Sequence, residues 1–531
     1  MAAHLAAAPV PAPPSRPGAA LARLEVLFDR AFTPAHNPWR QLGALCFFFL
    51  WVTVASGAYV YAFSETGVER AYRSVEYLTR DQWYLGGIVR SLHRYASDAF
   101  ALTMALHLAK EWITGRYRGF RWFSWVSGVP LIWLALLSGV VGFWLVWDEL
   151  AQFAAAASAE LLDGLPLFSE PLVRNFLADG DITDRFFTLA MFLHLGVPLA
   201  LVLAAWVHLQ RISRPAVHPS RPLAAGSLIM LLALALLQPV TSHEAANLTA
   251  VPRELRLDWF YLFPLPLVYA WSPLAVWLAA GGATLALLLL PWAGRNARAR
   301  SPVAQVSLDY CNGCGRCYQD CPYAAVVLRP RSDGRRAPRE AVVLADLCAG
   351  CGICAGACPS STPFQRAAEI TTGIDMPQLR VTLLRAQLEA AAAALTGRAR
   401  IMVFGCDLAV PVERLRGPDT AAFSLLCIGQ LPPSFVEYAL RSGADGVLIT
   451  GCAEGDCAFR LGNRWTEERL HGLREPHLRR NVPAVRWRVR WAGPRDVAAL
   501  QRELADFRAE LAASGASRLP APRRRTQAKG G

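Results

Sequence analysis

Apolar residues crowd the first half of this chain into long runs and thin out in the second half. Six stretches, over 42–63, 88–113, 122–147, 183–210, 223–241 and 263–291, are long enough to cross a bilayer as helices. From residue 399 the pattern changes. Short β-rich runs at 400–405, 423–428, 446–450 and 485–491 alternate with helical runs at 435–442, after Cys457 and at 497–513. Such alternation predicts a small α/β domain with a parallel sheet. Between the two regimes lie a cysteine-rich segment, 301–363, and a helix expected over roughly 376–396.

Composition agrees with this division. Hydrophobic residues make up 54% of the 531 residues and charged residues 18%, a balance that fits a chain partly inside a membrane. The net charge of +13 lies largely in short loops and in a basic tail, Arg518 and Arg523 to Arg525, so it does not call for nucleic acid. Arginines mark the loops after the second, fourth and sixth stretches (Arg116, Arg118, Arg121; Arg211, Arg214, Arg221; Arg295, Arg298, Arg300). The loop after the third is acidic, with Asp148, Glu149, Glu160, Asp163, Glu170, Asp179 and Asp181. The positive-inside rule then places both termini and the cysteine-rich half in the cytoplasm. Residues 1–18, rich in Ala and Pro, lack the pattern of a secretory signal.

Two histidine pairs sit inside the apolar stretches, His93 with His107 on the second and His194 with His208 on the fourth. Fourteen residues of helix rise about 21 Å and return to within roughly 40° of the same face. Two such helices facing each other would offer two stacked bis-histidine sites. Gly43 and Gly57 on the first stretch, and Gly128 and Gly142 on the third, repeat the same interval. Missing side chains there would let a flat macrocycle approach, although small-residue helix packing has the same signature.

With Asn37-Pro38, this Gly/His frame and Arg90-Ser91-Leu92-His93, the chain resembles cytochrome b of the quinol-oxidising bc-type complexes over about 37–291, without that family's last two spans. The resemblance implies two b-type haems: an outer one held by His93 and His194, an inner one by His107 and His208. It makes Arg90 a haem-propionate contact. Where the family's outer quinol site carries Pro-Glu-Trp-Tyr, this chain has Leu257-Asp258-Trp259-Phe260-Tyr261, and Pro-Trp-Gly becomes Val146-Trp147-Asp148. Asp258 is thus the carboxylate candidate for taking a quinol proton; a plain surface-loop carboxylate is the alternative.

Twelve of the thirteen cysteines follow residue 310. Cys311, Cys314, Cys317 and Cys321-Pro322 form one run; Cys348, Cys351, Cys354 and Cys358-Pro359 repeat its spacing. This resembles the bacterial two-cluster ferredoxins, in which the last cysteine of each run serves the other cluster. One [4Fe–4S] cluster would then use Cys311, Cys314, Cys317 and Cys358, the other Cys348, Cys351, Cys354 and Cys321. In the last domain Cys406, Cys427 and Cys452 follow predicted strands, and Cys457 lies close behind. Strand ends of an open α/β sheet converge on one edge, so these four could hold a [2Fe–2S] cluster or zinc. The segment 443–457, Gly-Ala-Asp-Gly-Val-Leu-Ile-Thr-Gly-Cys-Ala-Glu-Gly-Asp-Cys, with Gly462-Asn463 behind it, is similar to the delta subunit of methyl-viologen-reducing hydrogenase over about 399–508. That resemblance favours a [2Fe–2S] cluster. It departs from the family in having only Cys406 where a close cysteine pair is usual.

The sequence therefore predicts a multidomain chain. A disordered lead-in (1–36) precedes a six-span di-haem helical bundle (37–291). An α+β two-cluster ferredoxin domain (301–363), a helical linker (364–398), a small α/β domain with a parallel sheet (399–513) and a disordered basic tail (514–531) follow. The expected function is electron transfer in the cytoplasmic membrane between quinone and a soluble cytoplasmic flavoprotein, of heterodisulfide-reductase or hydrogenase type. No Gly-x-Gly-x-x-Gly fingerprint occurs, so chemistry at the soluble end falls to a partner. The alternative is a membrane-anchored redox sensor that regulates a bound partner without sustained turnover.

Overall fold

The computed structural model describes residues 16–166, 171–173, 182–250, 254–293, 302–335, 337–397 and 399–514. They form two compact units, one chiefly from 16–210 and 215–293, the other from 302–514.

The first unit is helical throughout: α1 (Arg16–Phe32), α2 (Leu42–Phe63), α3 (Ala71–Arg80), α4 (Ile88–Ile113), α5 (Trp122–Trp144), α6 (Glu149–Asp163), α7 (Asp184–Leu209), α8 (Arg221–Leu237), α9 (Leu265–Ala270) and α10 (Pro273–Leu289). Among the described residues four helical stretches are long and apolar enough to cross a membrane: Leu42–Phe63, Gly119–Trp144, Asp184–Leu209 and Pro273–Trp292. The other two expected spans also form helices. One, α4, carries Arg90, Arg94, Asp98, Lys110 and Glu111 along its length; the other, α8, has 17 residues. At 1.5 Å per residue α8 extends about 26 Å, close to the hydrocarbon thickness.

Residues 16–32 correct one expectation. They are not a disordered lead-in but helix α1. Polar contacts fasten it. Asp29 pairs with Arg40 at 2.7 Å, Glu25 with Lys110 at 2.8 Å, and the Asn37 amide donates to the Glu25 carbonyl and to Asp29. Residues 1–15 and the basic tail from 515 lie outside the described residues, as do Glu170, Asp179, Asp181, Arg295, Arg298 and Arg300.

The bundle is assembled from two helix pairs, α2 along α4 and α5 along α7. Each histidine-bearing helix thus packs against a helix that carries two of the spaced glycines.

The second unit begins with β1 (Gln305–Val306), α11 (Arg316–Gln319), β2 (Val326–Pro330), β3 (Arg339–Val343), α12 (Ile353–Ala357) and β4 (Ile374–Asp375). Two antiparallel pairs, β1 with β4 and β2 with β3, frame the cysteine runs. The runs are built alike: Gly315 and Gly352, each just after the middle cysteine, take φ of +78° and +75° and start the short helices α11 and α12. Such values cost a side-chain-bearing residue energy, so glycine holds the turn.

The rest is the α/β domain: α13 (Val381–Ala394), β5 (Ile401–Cys406), β6 (Thr420–Leu425), α14 (Ser434–Arg441), β7 (Gly446–Gly451), α15 (Gly462–Leu470), β8 (Trp487–Trp491) and α16 (Val497–Ser514). The sheet is wholly parallel, in the order β6-β5-β7-β8. Its central strands β5 and β7 are apolar runs buried at every position, as expected of a sheet covered on both faces. Residues of α13 and α14 pack on one face; Leu500, Leu504 and Phe507 of α16 pack on the other.

The pairing of β4 with β1 ties residues 374–375 to the cysteine-rich segment, beyond its expected end at 363. Helix α13 is not a free linker, because Val381, Leu384 and Leu388 are buried in the α/β core.

Candidate functional site

Each of the four histidines rests against one of the four glycines. A Cβ at Gly57 would lie 2.8 Å from His93 Cε1, at Gly142 2.7 Å from His194 Cε1, at Gly128 3.2 Å from His208 Cε1 and at Gly43 3.6 Å from His107 Cε1. The glycines make room for the imidazoles themselves, a reason the interval alone did not reveal. The rings are also aimed. The Nδ1 of His93 donates to the Thr53 carbonyl and that of His194 to the Ser138 carbonyl, both at 2.9 Å. The Nδ1 of His208 is 3.1 Å from Ser127 Oγ, which itself donates to the Phe123 carbonyl and so accepts from the ring. A carbonyl holding Nδ1–H leaves Nε2 with its lone pair, the form a metal binds. Rings of His93 and His194 face each other with centroids 6.3 Å apart. Two metal–nitrogen bonds of about 2 Å, plus roughly half a ring at each end, span about that distance. The pair is therefore spaced to hold a haem iron between α4 and α7, with the two ring planes at 75° to each other.

Arg90 is buried, and its guanidinium is occupied by protein groups: Thr79 Oγ1, Ser242 Oγ at 2.9 Å and Glu76 at 3.8 Å. Asp258 is buried as well. One carboxylate oxygen pairs with Arg94; the other accepts the Tyr261 N–H at 2.7 Å. Arg94 also pairs with Asp98 at 3.2 Å, so one guanidinium serves two carboxylates. Sequence reasoning missed Arg94 and Asp98, although opposite charges four residues apart inside an apolar helix are a legible signal.

The ferredoxin cysteines gather in two cavities. One is lined by Cys311, Cys314, Cys317 and Cys358; the other by Cys321, Cys348, Cys351 and Cys354. The fourth cysteine of each run thus stands with the first three of the other. Burial, with Cys358, Cys314 and Cys311 nearby, pushes the Cys317 thiol up to about 12, and burial raises Cys351 and Cys354 further. Burial also acts to raise Cys358, but Ser360, Thr372 and the backbone N–H groups of Ser360 and Gly373 outweigh it and hold this thiol below the ordinary range.

In the α/β domain Cys406 ends β5, Cys427 follows β6 by two residues, and Cys452 directly follows β7. Their thiols and that of Cys457 lie close together: Cys427 and Cys452 both act on Cys406, and both act on Cys457. Those contacts act to lower Cys406 and Cys457 and to raise Cys427 and Cys452. Backbone N–H groups of Leu408, Phe459 and Asn463 act to lower the Cys406 and Cys457 thiols. Three buried cysteines and the half-buried Cys457, with amide donors beside them, suit a cluster. Among the described residues no group of three or more His, Cys, Asp and Glu side chains is placed, as it stands, to hold a single metal ion.

Comparison with known proteins bears on all three sites. Residues 27–215 match the family model "Cytochrome b/b6/petB". Cytochrome b6 of Mesostigma viride is 31% identical over 166 residues, covering 30% of this chain and 77% of the relative. Cytochrome b6 of Porphyra purpurea is 30% identical over 167 residues, with the same coverage. The chain belongs to the cytochrome b/b6 family. It extends the family's fold with two further domains. Residues 310–362 match the 4Fe-4S dicluster domain, and residues 396–515 match the delta subunit of methyl-viologen-reducing hydrogenase. A chain of a solved "Hyperthermophilic respiratory Complex III" aligns at 18% identity and a TM-score of 0.38, over 51% of this chain and 80% of that one. As a member of this family with four apolar helices, the chain is an integral membrane protein that carries b-type haem and [4Fe–4S] clusters for electron transfer. The family match ends at residue 215, before Asp258.

Proposed function

We propose that this protein carries electrons between a membrane quinone and a soluble cytoplasmic oxidoreductase of heterodisulfide-reductase or hydrogenase type. The observation that supports this most is the presence on one chain of histidine rings 6.3 Å apart and three separate four-cysteine sets. When bound, haems and iron–sulfur clusters supply one-electron carriers.

In this proposal His93 with His194, and His107 with His208, hold two haems across six spans. Gly57, Gly142, Gly43 and Gly128 keep the rings in place, and Arg90 is the propionate contact that the resemblance to cytochrome b implies. Thr53, Ser138 and Ser127 fix the imidazole orientation through Nδ1. The two ferredoxin sets hold [4Fe–4S] clusters, and Cys406, Cys427, Cys452 and Cys457 hold a [2Fe–2S] cluster. Amide donors at Cys406 and Cys457 stabilise negative charge on sulfur there. Asp258 and Asp98, sharing Arg94, supply a carboxylate for the quinol proton. The arginine-rich loops orient both iron–sulfur domains to the cytoplasm; a reporter fused after Gly531 should be active there and silent outside.

Isolated membranes given quinol should show reduction of haem b, with electrons then reaching the iron–sulfur centres. Haem that stays oxidised under quinol, in a protein with its haem and clusters loaded, would leave the redox-sensor function instead.

A further inference from the structure

A buried cation lies between the second ferredoxin set and the set in the α/β domain. The two sets approach through glycine. A Cβ on Gly356, in the helix that carries Cys354, would lie 2.2 Å from the Gly429 carbonyl oxygen. A Cβ on Gly352 would lie 2.9 Å from Gln430 Cγ, and one on Gly429 2.8 Å from Ile353 Cγ1. Gly429 is two residues from Cys427, and a Cβ on Gly462 would meet the Cys427 sulfur at 2.3 Å. Helix α12 therefore lies backbone-to-backbone on the turn that follows Cys427. Cys457 is also near enough for its charge to act on Cys351 of the second ferredoxin set.

Arg469 closes the same junction. Its side chain is 1% exposed. One terminal nitrogen donates to the Gly429 carbonyl at 2.9 Å, the other to Asp320 at 2.5 Å. Asp320 directly precedes Cys321 of the second ferredoxin set. The Arg469 Nε has no hydrogen-bond partner among the described residues, and the carbonyl that its terminal nitrogen holds belongs to Gly429, two residues from Cys427. Asp320 has a second partner, Arg474 at 2.7 Å, which also pairs with Glu468. Arg469 is thus not needed to neutralise Asp320. A buried cation with a spare partner on one side and a thiol set on the other has an electrostatic use.

We propose that Arg469 is a positioning residue for electron transfer between the centre held by Cys406, Cys427, Cys452 and Cys457 and the second ferredoxin centre: its buried charge raises the reduction potential of the former, and the junction it closes makes the latter, not the first ferredoxin centre, the electron partner. This rests on the cluster assignment above. Each reduction adds one negative charge, which a nearby cation in a low-dielectric site stabilises. One electron leaves one centre and enters the other. No bond forms or breaks and no proton is needed; the soluble oxidoreductase at one end and the haems at the other supply and remove the electron.

The test is a redox titration of the full-length, cluster-loaded protein, followed by electron paramagnetic resonance. Arg469→Gln keeps hydrogen-bonding groups but removes the charge, and should lower the potential of the α/β-domain centre. Arg469→Lys should keep it near the parent value. Arg474→Gln should move it much less than Arg469→Gln. If Arg469→Gln does not fold, Asp320→Asn gives the complementary reading: a raised potential for the second ferredoxin centre and none for the first. An unmoved potential in folded Arg469→Gln, equal shifts in the two arginine variants, or an unmoved Asp320→Asn overturns the proposal. A parent protein that lacks the third signal altogether defeats the cluster assignment itself, whereas a parent that has it alongside an unmoved variant defeats only the role of Arg469.

Discussion

The imidazole of His194 lies against Gly142 so closely that a Cβ there would stand 2.7 Å from its Cε1. Real Cβ contacts are not made at that distance, and the ring is fixed at its neighbouring Nδ1 by the Ser138 carbonyl, one turn from Gly142 on the same helix. Gly142→Ala should displace the ring and cost the haem of the His93–His194 pair. Gly57→Ala, at 2.8 Å from His93, should do the same. Gly43→Ala has an ordinary 3.6 Å to His107 and should be tolerated. Pyridine haemochrome assay should give about half the parent's haem for the first two variants and the full amount for the third. Equal loss in all three would mean that the glycines serve helix packing.

Asp258 is paired with Arg94, whose other partner is Asp98. Replacing Asp258 by Asn leaves Arg94 a carboxylate, so the helix should survive. Quinol-dependent turnover should fall by at least about tenfold, the scale of a lost proton acceptor, with haem spectra unchanged. Unchanged turnover would leave Asp258 as the cap of the turn at Tyr261.

Cys452→Ser should remove one of the four thiols gathered in the α/β domain without disturbing the two ferredoxin cavities, which share none of them. The full-length variant should lose the third paramagnetic signal and keep both [4Fe–4S] signals. Zinc in the parent at this site would replace the cluster assignment.

Cluster loading should depend on pH with a defined sign. Burial raises the thiols of Cys317, Cys351 and Cys354, so in the empty protein they hold protons at neutral pH. Binding must expel those protons, so affinity and rate rise with pH. Anaerobic reconstitution followed by visible absorbance should run faster at pH 8.5 than at about pH 7. A flat profile would show that iron displaces these protons without hindrance.

Much of this was legible in the chain because periodic geometry is written locally. Fourteen-residue spacing put His93 with His107, and His194 with His208, on single helix faces, and strand ends put Cys406, Cys427 and Cys452 on one sheet edge. What was not legible is long-range. The pairing of Asp320 with Arg469 spans 149 residues, and no periodicity carries it. Helix α1 was missed because its start is Ala- and Pro-rich, while its anchors, Arg40 and Lys110, lie outside it. The span count was blurred by α4, where Arg90, Arg94 and Asp98 interrupt an otherwise apolar helix with internally paired charges.

The way α13 and β4 are used decides where this protein can be divided. Strand β4 ends at Asp375, in register with β1, and α13 begins six residues later with its apolar side already inside the next domain. A fragment begun at residue 399 would strip Val381, Leu384 and Leu388 from the sheet face and leave an adhesive surface prone to aggregation. A water-soluble portable piece would have to start ahead of Gln305, so for a protein engineer the ferredoxin and α/β domains are a single cassette.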